Sequence, residues 1–279
     1  MLWKISTMFT KFMIMPRFLY RFFHQIDKRQ RFVISTLILS FFILISSFLT
    51  FNQIKYFVFI LAGMVYFLTF FSILEGIERW EWLMLFILPV YFTVAFVLFY
   101  FLLPVRWLTR LPFIIVYGIS IYAILLSSNI FNVGVEKSLQ LFRAAFSVNF
   151  LFLTLTLFLV FNLIFSFQLS FIFNFVFVFL FILPIVLQFL WSINPKIILE
   201  SQLVKYAFLI SLIIAEAGLV FSFVPIKSTL LAIFLAACFY SLVGLFQAYL
   251  EERLFKERIR EYIFVFIFVF IIIILSVSW

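Results

Sequence analysis

Polar residues are so sparse in this chain that its apolar positions fall into long runs. Nine runs have the length of about 17–25 residues that crosses a bilayer as a helix. They are 32–51, 56–74, 82–103, 111–130, 146–165, 169–191, 203–224, 229–250 and 262–278. The fifth and sixth are separated only by Ser166, Phe167 and Gln168. Joined into one helix they would reach about 69 Å, more than twice the thickness of the hydrocarbon core. They are therefore read as two spans. The last run alternates Phe with Ile and Val, which in water would suggest a strand. In lipid an isolated strand leaves its backbone unpaired, so a helix is expected there too. The pattern predicts an all-α fold, a polytopic transmembrane helical bundle of about nine spans. It divides the chain into a basic, aromatic interfacial segment at 1–31 and a transmembrane domain at 32–279.

Lys and Arg set the expected orientation. With nine spans, sixteen of the twenty basic residues collect on the side of residues 1–31 and four, Lys55, Arg106, Arg110 and Lys227, on the other. That split predicts a cytoplasmic N-terminus. Trp3, Trp80, Trp82, Trp107, Trp191 and Trp279 fall at or beyond the ends of runs, where aromatic belts form. The first run has a basic flank, but Asn52-Gln53-Ile54-Lys55 offers no small-residue cleavage site, so it is expected to stay as an anchor.

Composition narrows the chemistry. The chain is 67% hydrophobic and 11% charged over 279 residues, too apolar for one water-facing domain to bury. A single Cys, Cys238, permits no internal disulfide, and a single His, His24, permits no two-histidine metal site. A single Asp, Asp27, rules out a paired-aspartate protease and Asp-rich Mg²⁺ motifs. The six Gly form neither GxGxxG nor GxxxxGK, so nucleotide cradles are absent. Phe occupies 48 positions, read mainly as filler for lipid-facing surface.

Few residues are left to carry function. Glu216 lies near the middle of the seventh run, where an ionisable group costs at least about 2.5 kcal/mol. It must be protonated, paired or in contact with water, and it is expected to face other helices. Asn162 and Asn174, at similar depth on runs five and six, are its expected partners. On run six, Ser170, Asn174, Pro184 and Gln188 share a helical face, which makes them a candidate lining or a set of interhelical hydrogen bonds. The candidate intramembrane polar site is thus Glu216, Asn162, Asn174 and Gln188. Small residues recur as Ser211, Ala215, Gly218 and Ser222, and again as Ala237, Ser241, Gly244 and Ala248. This spacing predicts close packing of spans seven and eight against each other. Near the N-terminus, Arg17, Arg21, His24, Lys28 and Arg31 form a basic stripe beside Phe18, Phe22 and Phe23. Arg17, Arg21, Lys28 and Arg31 are candidate contacts for anionic headgroups. Arg106 and Arg110, between Pro104 and Pro112, are a second candidate anion or headgroup pair.

Within 104–156, Asn129-Ile130-Phe131-Asn132-Val133 and Arg143-Ala144-Ala145 resemble stretches of uncharacterised multi-span membrane proteins of bacteria with reduced genomes. Such families have no assigned activity, so the resemblance implies no functional residue. The expected protein is an integral membrane protein of the cell membrane, a small transporter or a membrane subunit of a larger complex. A membrane-embedded lipid-modifying enzyme and a non-catalytic scaffold are the alternatives. Enzymes acting on phosphates use clustered acids or histidines, which this chain lacks. No catalytic residue, metal ligand or cofactor is assigned. The expected partners are the bilayer, anionic lipid at the cytoplasmic face and an unidentified protein, with no nucleic acid.

Overall fold

A computed structural model describes residues 26–73, 81–103, 107–133, 139–195, 199–252 and 254–276. Among them are nine helices, each long and apolar enough to cross a membrane. They are α1 (Lys28–Ser46), α2 (Phe51–Ile73), α3 (Glu81–Tyr100), α4 (Trp107–Val133), α5 (Leu139–Ser166), α6 (Phe171–Ile193), α7 (Ser201–Phe221), α8 (Ser228–Leu250) and α9 (Lys256–Ser276). The chain is an all-helical, multi-pass membrane protein. Short connectors fold each helix back on its predecessor, and every consecutive pair packs together.

The division of residues 146–191 into two spans is what the structure has. Helix α5 ends at Ser166, Phe167 and Gln168 turn, and α6 starts at Phe171. Gln168 takes a φ of 49°, in the left-handed region that a tight reversal needs. Glu252, with a φ of 55°, does the same between α8 and α9. Glu251 and Glu252 turn the chain, and α9 begins already at Lys256. Helix α5 starts seven residues before its apolar run, because nothing between Leu139 and Phe146 breaks a helix.

Helix α5 is the centre of the bundle, packed against α3, α4, α6 and α8, while α9 packs chiefly on α8. In lipid, helices associate through close packing and hydrogen bonds, since acyl chains are as apolar as Leu. Both devices recur here. Ser72 donates to Ser35 at 2.8 Å, joining α2 to α1. Thr93 and Tyr117 hydroxyls lie 2.9 Å apart between α3 and α4. A Cβ added at Gly118 would meet the Ser40 hydroxyl at 3.0 Å, so α4 and α1 approach closely there.

Several sequence expectations change. Phe fills the interior as well as the surface. Phe92, Phe161, Phe189 and Phe239 are fully buried, whereas Phe41, Phe59, Phe264 and Phe268 face outward. Trp191 is buried against Phe131 and takes no place in an interfacial belt. Spans seven and eight do not use their small residues chiefly on each other. Gly218 faces Val178 of α6, Phe165 of α5 and Leu235 of α8, all within 3.6 Å of an added Cβ. Gly244 lies under the Tyr262 ring of α9. A small residue admits whichever neighbour the connections bring, and the strongest partner of α7 is α6.

Candidate functional site

Among the described residues, the buried amide side chains sit on α5 and α6, and they divide into two clusters. The first lies toward the end at which α5 begins. Gln188 Nε2 donates to Asn149 Oδ1 at 3.1 Å, and Asn149 Nδ2 donates to Ser192 Oγ at 3.4 Å. Ser192 Oγ in turn donates to the Phe189 carbonyl at 2.7 Å. All three side chains are buried. The bonds run in one direction and end on a backbone acceptor. Gln188 Oε1 is left buried without a donor.

The second cluster lies at the opposite end. Asn174 Nδ2 donates to the Leu169 carbonyl and to Ser222 Oγ, both at 3.2 Å, tying α6 to α7. Ser222 Oγ donates to the Gly218 carbonyl at 2.7 Å. Beside it, Ser166 Oγ lies 3.3 Å from both Asn162 Oδ1 and Ser228 Oγ, which ties α5 to α8. Asn174 Oδ1 is buried with no donor.

Asn174 and Gln188 are roughly 21 Å apart along α6. The centre of the buried face between them is Val178, Ile182 and Ile185, all fully buried. The polar stripe of span six is thus the edge of an apolar face. Pro184 is half-buried and Ser170 is the exposed N-cap. The four residues expected to form one intramembrane site are held in three places. Asn162 and Asn174 share one end, Gln188 is at the other, and Glu216 belongs to neither.

Glu216 is exposed on the outer surface of α7. Among the described residues, none forms a hydrogen bond or ion pair with it. Contrary to expectation, its carboxyl faces away from its own bundle. The reason is angular. Ser211, Ala215 and Gly218 face inward and are buried. Glu216, one position beyond Ala215, is rotated about 100° out of that face. It sits amid Leu209, Ile213 and Val220, each about half-exposed.

The candidate headgroup contacts also separate. Arg17, Arg21 and Arg106 lie outside the described residues. Lys28 is half-buried in the first turn of α1, and Arg31 is only 2% exposed, so it does not extend a surface stripe. Arg110 Nε donates to the Tyr100 hydroxyl at 3.2 Å, and its guanidinium stands 4.6 Å from the centre of the Phe48 ring. It braces α3, α4 and the connector after α1. Asn149 and Ser192 join the first cluster without having been expected from the sequence. Their signal was an amide in one apolar run placed to meet an amide in the next.

A cleft of about 400 Å³ lies between α7, α8 and α9, lined by Ile213, Ala217, Phe234, Cys238, Phe266 and other apolar side chains. Ser241 borders it, buried, with its hydroxyl unpartnered. Among the described residues, no three His, Cys, Asp or Glu side chains come together to hold a metal.

Residues 75–276 match a family described as "Protein of unknown function (DUF5656)". The chain belongs to that family. The match runs from the connector before α3 through the end of α9, so it holds both polar clusters, the cleft and Glu216. Helices α1 and α2 precede it and pack on α3 and α4. No curated protein and no solved structure matches the chain.

Proposed function

We propose that this DUF5656 protein is the membrane subunit of a larger assembly, joined to its partner through the outer face of α7. The observation that carries this reading is Glu216. A carboxyl five residues before the end of α7, on the outside of the bundle, is costly against lipid, and burial against a protein partner with a hydrogen-bonding group offsets that cost. Every basic residue in a described helix lies within its first five positions, where a long side chain reaches the interface. Glu216, at position sixteen of α7, has no such exit. The interior supports the same reading. Gln188 bonds to the Asn149 amide and Asn174 to the Ser222 hydroxyl across helices, with aliphatic side chains packed between the two clusters. A photoreactive amino acid at Val220 tests it in native membranes. A protein adduct is the expected product, and adducts with lipid alone overturn it.

A second reading, transport of a small cation, draws support from Gln188 Oε1 and Asn174 Oδ1, two buried carbonyl oxygens without donors. Such oxygens suit a cation or a water. Their separation, filled by Val178, Ile182 and Ile185, places this reading second. Uptake assayed in proteoliposomes with and without Gln188→Leu separates the two. Loss of a cation flux in the variant favours transport.

A further inference from the structure

We infer that the partner on α7 is a second copy of this chain, with Glu216 meeting Glu216 across a twofold axis normal to the membrane. This rests on the membrane-subunit reading and names the occupant of its surface. Leu209, Ile213, Glu216 and Val220 follow one another on α7 at spacings of 4, 3 and 4 residues, and all are exposed. That is the seam spacing by which two helices interlock along their length. A cyclic dimer needs a surface complementary to itself. A protonated carboxyl is both donor and acceptor, so it complements a second carboxyl. Two copies inserted in the same direction hold Glu216 at the same depth, and the symmetry supplies the match without a further sequence requirement. The apolar residues around it supply the packing, and the hydrogen-bonded pair supplies the register. The cleft between α7, α8 and α9 adjoins this seam at Ile213, which leaves space for side chains of the second copy beside the axis.

The experiment uses the full chain in native membranes and in lipid nanodiscs, in a Cys238→Ala background that removes the one native thiol. Single cysteines replace Ile213 or Val220 on the seam, with Phe268→Cys on α9 as the control face. The expected result is an oxidised, disulfide-linked dimer of this chain from both seam positions and none from Phe268→Cys. The mass of the nanodisc-held protein should be that of two chains. Glu216→Gln, whose amide also donates and accepts, should keep the dimer. Glu216→Leu should weaken association by about tenfold, equivalent to about 1.4 kcal/mol. Should Glu216→Leu fail to accumulate, the seam cysteines in the Glu216 background decide alone. A link from Val220→Cys to a different protein overturns the dimer and leaves the subunit reading standing. A single-chain mass with no link of any kind overturns both.

Discussion

Helix α5 and helix α7 each carry polar side chains within an apolar span, in opposite surroundings. On α5, Asn149 and Asn162 are buried and bonded to α6, or through Ser166 to α8. On α7, Glu216 is outside, without a hydrogen-bond or ion-pair partner among the described residues. The first arrangement closes the fold of one chain. The second, on the proposed reading, serves association with a partner. A polar group in a membrane protein is costly against lipid whichever way it points, so its direction shows which association it serves.

Exchanging each polar residue for Leu sharpens this contrast, because the same chemical change should act in opposite ways. The largest effects are expected for Glu216→Leu and Asn149→Leu. Replacing an ionisable group in the last third of the span by Leu should favour insertion of α7 by about 2 kcal/mol. It should leave the unfolding of a single chain unchanged. Translocon insertion of a segment spanning 199–224 measures the first, and denaturation in detergent micelles measures the second. Lower unfolding stability in monomeric micelles would mean that Glu216 supports the bundle itself, which erases the contrast.

Asn149→Leu should do the reverse. It strips Gln188 Nε2 of its acceptor and Ser192 Oγ of a donor in a buried site. A loss of about 2 kcal/mol in unfolding free energy is expected from such stranded groups. Unchanged stability would show that the α5–α6 contact is held by packing alone.

The next effect concerns α9, the helix least enclosed by the bundle. Of its most apolar window, 6% of residues are buried, against 56% for α5. A Cβ at Gly244 would collide with the Tyr262 ring, the point where α9 rests on α8. Gly244→Ala should therefore loosen α9 by about 1 kcal/mol, at the low end for overpacking because a ring at the bundle edge can turn. Faster proteolysis in the 251–255 connector measures it, with Tyr262→Ala restoring resistance.

The smallest effect is expected at Thr93→Val, which removes the hydroxyl shared with Tyr117 while keeping the shape. A loss of about 0.6 kcal/mol is typical of one interhelical hydrogen bond in lipid. A thermal shift much larger than that of a single bond would mark the α3–α4 contact as a second centre of stability beside α5.

The spans and their number were determined by the sequence by itself, down to the break between Ser166 and Phe171. Length and apolarity are local properties, and lipid allows a lone apolar segment no regular structure but a helix. The small residues and the amides Asn162, Asn174 and Gln188 are legible in the same way, since each is conspicuous in an apolar run, whereas Asn149 gained its role only from its neighbours in the fold. Which way these residues face was decided only by the tertiary structure. In water the apolar side of a helix is the inside, but acyl chains and protein interior are equally apolar, so hydropathy does not separate the two faces. Phe189 and Phe264 are thus alike in sequence and opposite in place. For the same reason Arg31 and Trp191, read as interfacial, are buried once neighbouring helices close over them. The split of the polar residues into two clusters, and the outward turn of Glu216, follow from which helices the connectors bring side by side, and the pattern along the chain carries no record of that.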